Sequence, residues 1–197
     1  SDCDDSRVVQ DALRHMPPLI DIKAAGTAMR FMTSFLSTVS AEHVITGTER
    51  MRNRPIAVLV DALRFLGADI CYEEKDGFPP LRIRGRELAG GRISLPGNVS
   101  SQYISSLLMI APTLRQGLVL ELTGEVISRP YIDMTLAIMR QFGAKAQWNG
   151  EREIRVEAVP YSPIPYYIES GHPVALYFLS MLANKKRWMC FGAHPPF

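Results

Sequence analysis

The sequence predicts an α/β fold of the α+β type, made of two successive βαβαββ units with buried helices. Two observations carry that prediction. The first is a repeat of punctuation: Thr46-Gly47, Arg54-Pro55 and Gly67-Ala68 return as Thr123-Gly124, Arg129-Pro130 and Gly143-Ala144, offset by about 75 residues. The second is the run from Tyr103 to Ala111, apolar on nearly every side. Tyr103, Ile104, Leu107, Leu108 and Ala111 share one helical stripe, and Met109 and Ile110 widen it. A helix of that composition belongs in a core.

Taken in order, the chain opens on a short helical pattern of Val8, Val9, Ala12 and Leu13. The first unit, 22–84, starts with a short strand around Ile22 and the small residues Ala24-Ala25-Gly26-Thr27. A helix through Ala28, Phe31, Met32, Phe35 and Leu36 follows, then a strand at His43-Val44-Ile45. A polar loop from Thr46 leads to a helix opened by Arg54-Pro55 and closed by Gly67-Ala68, and strands at Asp69–Tyr72 and Leu81–Arg84 finish the unit. The second unit, 93–157, repeats the order. A strand at Ile93 leads through Pro96-Gly97-Asn98-Val99-Ser100-Ser101-Gln102 into the apolar helix, and Leu118–Leu122 alternates as a strand. Arg129-Pro130 opens a helix closed by Gly143-Ala144, with strands at Ala144–Trp148 and Ile154–Glu157.

Composition narrows the function classes. The 197 residues suffice for one sizeable core, or for one domain plus a fragment of another. Charges of 22 basic and 20 acidic residues are spread evenly, which is no nucleic-acid footprint, and the run Lys185-Lys186-Arg187 reads as a solvated turn. No apolar segment reaches the ~20 residues of a membrane span, and no signal peptide opens the chain. Cys3, Cys71 and Cys190 are few and far apart, which fits reduced thiols in a cytosol. His15, His43, His172 and His194 lack metal-ligand spacing, so no metal site is expected, and no Walker or dinucleotide loop is present.

Three stretches offer chemistry. Ser100, Ser101 and Gln102 stand at the N-terminus of a buried helix, where free N–H groups favour an anion such as phosphate; the plainer alternative is a serine cap. Arg54, preceded by Arg50 and Arg52, places cations before a helix, a poor site unless an anion is shared with the helix end. The alternative there is a solvated loop paired with Glu42 or Glu49. Ser128-Arg129-Pro130-Tyr131 offers a hydroxyl, a guanidinium and a phenol at one helix entrance, the alternative being a cap serine and a packed tyrosine. Asp133 reads as a first-turn partner of the helix dipole rather than a base.

Four segments together resemble the signature of the EPSP synthase family: Ala25-Gly26-Thr27-Ala28-Met29-Arg30, Thr46-Gly47 through Met51-Arg52-Asn53-Arg54-Pro55-Ile56, Val99-Ser100-Ser101-Gln102-Tyr103, and Ser128-Arg129-Pro130-Tyr131-Ile132-Asp133. They stand in the family's order and spacing across roughly residues 1–169, and any one of them by itself is a weak signal. The resemblance implies an inside-out α/β barrel of the enolpyruvyl transferase type, with helices inside and sheets outside, here incomplete. Residues 1–165 match a first-domain portion: the tail of one unit, then 22–84 and 93–157. Residues 166–197 are expected to be the crossover and a divergent tail.

The resemblance also implies a reaction, in which the 5-hydroxyl of shikimate 3-phosphate adds to C2 of phosphoenolpyruvate and phosphate is then lost, within the shikimate pathway to aromatic amino acids. By motif, Ser100, Ser101 and Ser128 bind the phosphate of shikimate 3-phosphate, Tyr131 lies along the ring, and Gln102 bridges the two substrates. Arg54 and the backbone at Gly26 hold phosphoenolpyruvate; a Cβ at Gly26 crowds a ligand approaching the backbone. Arg30 belongs to the motif and reads as structural. No cofactor is implied, and the catalytic acid–base groups are expected in the family's second domain, which these residues do not include. Without them the chain by itself is expected to bind weakly and not turn over.

Ala24 stands where the family usually has Asn, a loss of one or two hydrogen bonds, about 1–3 kcal/mol. After Ser170, Gly171-His172-Pro173-Val174 departs from the family's pattern, and only Ala175 and Tyr177 fit it. Two other readings compete: a non-catalytic remnant that binds a phosphorylated ligand, and an enolpyruvyl transferase of UDP-N-acetylglucosamine, whose reactive cysteine loop has no likeness around Cys71. The expected partners are the two small substrates, in the cytoplasm, with no nucleic acid or membrane. Open strand edges make self-association of the chain a further expectation.

Overall fold

The computed structural model describes residues 4–162, with side chains from residue 7 onward. Cys3, Glu169, His172, Ala175, Tyr177, Cys190, His194, the Lys185-Lys186-Arg187 run and the whole 166–197 segment lie outside the described residues. The opening pattern forms helix α1 (Asp4–His15), with Val9, Ala12 and Leu13 buried.

Strands β1 (Leu19–Asp21), β2 (Glu42–Thr46), β3 (Asp69–Tyr72) and β4 (Leu81–Arg84) form one sheet in the order β1-β2-β4-β3. Strands β5 (Gly91–Pro96), β6 (Leu118–Thr123), β7 (Ala146–Asn149) and β8 (Glu153–Val156) form a second in the matching order β5-β6-β8-β7. In each sheet the first pair is parallel and the other two pairs are antiparallel. A parallel pair needs a crossover, and that crossover is α2 (Gly26–Leu36) in the first unit and α5 (Ser101–Ile110) in the second. The sequence repeat is therefore a repeat of topology. The described residues form two open sheets with helices between them and no closed barrel.

Burial explains why the helices lie inside. Every residue of α2 from Ala28 to Leu36 and every residue of α5 from Ile104 to Ile110 is buried. The strands alternate, sending Ile20, Ile45, Ile70, Leu81 and Ile83 inward from one sheet and Leu95, Leu118, Leu120, Leu122 and Ile154 from the other. Helix α2 packs on β2 and β4 with one face and on α5 with another. Each such Leu or Ile contributes about 1.5–3 kcal/mol on burial. The remaining α-helices among the described residues are the short α3 (Glu49–Arg52), α4 (Ala57–Phe65) and α6 (Arg129–Gln141), the last packed on α5, and a 3-10 turn at Ala111–Thr113 closes α5.

Three expectations need correction. The first strand lies at Leu19–Asp21 rather than around Ile22, whose N–H still donates to the Thr46 carbonyl at 3.0 Å. The polar loop after Thr46 holds the one-turn helix α3, anchored by buried Met51. Arg54-Pro55 does not open a helix, since α4 begins at Ala57; Pro130 does occupy a first-turn position of α6. Pro55 is held elsewhere, its carbonyl accepting the Tyr103 hydroxyl at 2.7 Å, while the next N–H, of Ile56, donates to Gly77 at 2.9 Å.

The solvent face of the first sheet carries an ion-pair ladder. Glu42 accepts from Arg84 Nε at 2.6 Å and Arg82 Nη1 at 2.8 Å, and Glu73 takes Arg82 in a fork at 2.8 and 2.9 Å. These hydrogen bonds lower both carboxyls from their ordinary 4.5. A lowered folded-state value adds stability that is complete above the unfolded-state value and fades as pH falls through the folded one. The thermal midpoint is thus expected to fall as pH drops below about 4.5, and less so in Arg82→Gln. Equal acid sensitivity of the two in a calorimetric pH series contradicts a role for the ladder. All four side chains are solvent-exposed or nearly so, and the effect is correspondingly small.

Candidate active site

In both units the loops after the parallel strands lead straight into helix N-termini, so one end of the molecule collects them. The β1–α2 loop meets the β2–α3 loop through the Thr48 N–H, which donates to the Lys23 carbonyl at 3.0 Å. The β5–α5 loop meets the β6–α6 loop through the Ile127 N–H and the Gly97 carbonyl at 3.4 Å. Gly97 permits that approach, because a Cβ there would stand 2.6 Å from the Glu125 carbonyl oxygen. Between the units, the Gln102 amide on α5 donates to the Thr27 hydroxyl on α2 at 2.9 Å. The helix N-termini thus share one mouth, and their free N–H groups and dipoles favour negative charge there.

Ser100 is the N-cap of α5; its hydroxyl accepts from the Gln102 N–H at 3.4 Å, a long bond at the weak end of the range. The plainer reading of that serine therefore holds at the level of geometry. Ser101, the first residue of α5, is half-buried, and its hydroxyl has no partner among the described residues. The second helix entrance behaves differently. Ser128 is the N-cap of α6 by position but makes no side-chain cap bond, and Tyr131 is 58% exposed instead of packed. Both hydroxyls point to no described partner, so the cap-and-packing alternative fails here. Arg129 leaves the entrance: its guanidinium stacks 4.3 Å from the centroid of Trp148 and donates to the Glu151 carbonyl at 3.2 Å. Asp133 accepts from the Trp148 indole N–H at 2.6 Å, so it anchors a side chain rather than serving the dipole.

The arginine loop divides in the same way. Arg52 is held by Glu74 at 2.9 and 3.2 Å, a partner the sequence did not suggest. Arg54 is exposed and has no carboxylate partner among the described residues. Its Nη1 lies against Gly26: a Cβ built on Gly26 would collide with it, and Arg30 Nη1 would be 3.5 Å away. Gly26 and Arg54, far apart in sequence, are therefore neighbours in space.

Arg30 is 4% exposed, with no carboxylate partner among the described residues. Its Nη1 donates to the Gly26 carbonyl at 3.0 Å and its Nη2 reaches the Pro55 carbonyl at 3.5 Å, while its Nε is buried without a partner. It ties the Gly26 turn to the Arg54 turn, a structural role. Tyr103 joins the same cluster with its hydroxyl on Pro55 and its ring 5.7 Å from the Arg30 guanidinium. Sequence patterning placed Tyr103 in the apolar stripe, and only the phenol, atypical at a core position, hinted at a polar task. Near the mouth, Lys23 donates to Asp21 from both its backbone N–H and its Nζ, which lowers that carboxyl. Ala24 is exposed in the turn before α2, where its methyl group offers no hydrogen bond.

Among the described residues no group of His, Cys, Asp and Glu could hold a metal ion, and no helix is long and apolar enough to cross a membrane. Cys71 is a free, exposed thiol on β3, remote from the mouth loops in the sheet order.

Comparison with known proteins gives a consistent result. The family model of EPSP synthase (3-phosphoshikimate 1-carboxyvinyltransferase) matches residues 3–186, further than the four signature segments reach. The 3-phosphoshikimate 1-carboxyvinyltransferase of Bacteroides fragilis is 56% identical over 183 residues, covering 93% of this chain and 45% of that protein. That of Haemophilus ducreyi is 45% identical over 166 residues, covering 82% of this chain and 38% of that protein. Among solved structures, EPSP synthase from Acinetobacter baumannii matches with a TM-score of 0.61 at 25% identity, covering 71% of this chain and 30% of that one. The chain spans less than half the length of these relatives.

Proposed function

The chain belongs to the EPSP synthase family, and from that premise we propose that its mouth holds the substrates of enolpyruvyl transfer from phosphoenolpyruvate to the 5-hydroxyl of shikimate 3-phosphate. In this reading Ser100, Ser101 and Ser128 receive the phosphate of shikimate 3-phosphate, Tyr131 lies along its ring, and Arg54 with the backbone at Gly26 receives phosphoenolpyruvate. Gln102, tied to Thr27 on the neighbouring helix, stands between the two. The observation that carries it is the set of groups at one mouth that have no hydrogen-bond partner among the described residues: the hydroxyls of Ser101, Ser128 and Tyr131 and the guanidinium of Arg54. Hydroxyls, free N–H groups and a cation suit two phosphorylated substrates.

The chemistry follows from those charges. Addition of the 5-hydroxyl to C2 of phosphoenolpyruvate forms a tetrahedral intermediate, which expels phosphate as the enol ether forms. Fixing both anions side by side supplies proximity, and the helix ends stabilise negative charge on the phosphates. The groups that move protons are proposed to lie outside the described residues. Accordingly the 197-residue polypeptide assayed alone is expected to bind but not to turn over. Calorimetric titration with shikimate 3-phosphate, with and without phosphoenolpyruvate, tests this. Saturable binding that disappears in the Ser100→Ala, Ser101→Ala double variant supports it. No heat and no thermal stabilisation from a folded chain overturn it.

A second reading, binding of a phosphorylated ligand without turnover in any context, is favoured by Ala24, which removes an amide from the phosphoenolpyruvate side. A UDP-N-acetylglucosamine transferase finds no support, since exposed Cys71 is on a strand and not in a mouth loop. A cytoplasmic location belongs to the same proposal and rests on the substrates' metabolic nature. So does self-association of the isolated polypeptide: Leu19 is 59% and Phe65 75% exposed, and a cleft lined by Val58, Phe65, Ile93 and Leu95 opens between α4 and β5. Sedimentation is expected to show concentration-dependent association that Phe65→Glu weakens; a strictly monomeric profile at high concentration contradicts it.

A further inference from the structure

The two proposed half-sites are joined by a contact between separate stretches of the chain. Tyr103 follows Gln102 on α5, on the shikimate 3-phosphate side, yet its hydroxyl donates to the Pro55 carbonyl at 2.7 Å. Pro55 follows Arg54 directly, on the phosphoenolpyruvate side. The same carbonyl takes Arg30 Nη2 at 3.5 Å, and the Arg30 guanidinium lies 5.7 Å from the Tyr103 ring. Arg30 in turn binds the Gly26 carbonyl at 3.0 Å, and Gly26 is the surface against which the Arg54 guanidinium rests. Residues 53–55 are exposed, and the turn's other bonds are Asn53 N–H and Nδ2 to the Glu49 carbonyl at 3.2 and 3.0 Å, Arg54 N–H to Met51 at 3.0 Å and Ile56 N–H to Gly77 at 2.9 Å.

We propose that Tyr103 is a positioning residue for Arg54, its hydroxyl clamping the Pro55 carbonyl so that the Arg54 guanidinium faces the phosphoenolpyruvate subsite. This rests on the assignment of Arg54 and Gly26 to phosphoenolpyruvate. The contact makes one substrate's helix the support of the other substrate's cation. Movement at the α5 N-terminus when its anion binds is thereby passed to Arg54, and phosphoenolpyruvate affinity depends on an intact Tyr103–Pro55 bond. Phenylalanine at this position keeps the ring, and with it the stacking on Arg30, but loses the clamp.

Tyr103→Phe in the full chain is the test. Phosphoenolpyruvate affinity, titrated in the presence of shikimate 3-phosphate, is expected to fall about three- to tenfold, the worth of one neutral hydrogen bond. Affinity for shikimate 3-phosphate by itself is expected to change less than about twofold, since no ligating group is altered. In an Arg54→Lys background the same substitution is expected to have little further effect, because it acts through Arg54. Amide hydrogen exchange gives a readout that needs no ligand: Arg54 and Ile56 exchange faster in Tyr103→Phe, while Leu107 and Leu108 do not. An equal fall in both affinities marks a merely structural tyrosine and overturns the proposal, as does unchanged exchange at Arg54 and Ile56. If the wild-type chain takes up neither substrate, the substrate assignment fails and the exchange result decides the clamp by itself.

Discussion

Gly26→Ala is expected to lower phosphoenolpyruvate affinity about 10- to 100-fold, the range of a lost hydrogen bond to a charged group, while the chain stays folded. The cause is local. A Cβ at this position would overlap Nη1 of Arg54 and stand 3.3 Å from its Cζ. Arg54 is exposed and its side chain has no hydrogen-bond partner among the described residues, so the guanidinium swings aside at little cost to the fold. The methyl also fills space that a ligand at the α2 N-terminus would use. Stability is expected to hold or rise slightly, because Gly26 is the first residue of α2 and alanine narrows the unfolded ensemble by about 0.4–1 kcal/mol there. Titration of phosphoenolpyruvate with shikimate 3-phosphate present, beside a thermal melt, separates the two effects. Wild-type affinity in a folded Gly26→Ala chain removes Gly26 and Arg54 from the subsite.

The second large effect is expected from Ser128→Ala, read against Ser100→Ala. Both are assigned to the phosphate of shikimate 3-phosphate, and each hydroxyl bound to a dianion accounts for about 1.5–3 kcal/mol, so each variant is expected to bind at least about tenfold more weakly. Their stabilities should part company. Ser100 caps α5 through the Gln102 N–H, so its loss costs about 0.5–1 kcal/mol of folding free energy as well. Ser128 caps nothing, and its replacement leaves the thermal midpoint where it was. A Ser128→Ala variant with full affinity for shikimate 3-phosphate ends the role given to that serine.

What the sequence exposed was periodic or punctuated. Leu118–Leu122 lies in a strand, as its alternation predicts, because alternation reports directly which side chains face a core. The helix from Ser101 was equally plain, and its burial followed from having no polar face. Glu49–Arg52 leaves no signal in the sequence because four residues are too few for a period to register. Arg54-Pro55 reads as a helix opener because the same dipeptide type does open α6, and the bonds that make it a turn instead come from Tyr103, Arg30 and Gly77.

The site divides along the same line. Serines before a buried helix and arginines before another were visible as residues suited to anions, since helix termini impose that chemistry locally. Which of them remain available was not visible. Arg52 is taken by Glu74 and Arg129 by Trp148 and Glu151, whereas the side chains of Arg54 and Ser128 have no such partner among the described residues. Sequence by itself determined the repeated unit, the buried helices and the kinds of side chain at their entrances, because propensity, periodicity and helix dipoles act over a few residues. Only the tertiary structure decided that Gly26 abuts Arg54, that Gln102 reaches Thr27 and that Tyr103 holds Pro55. Those contacts join separate stretches of chain, and their geometry is set by the packing of α2 on α5, which no local rule contains.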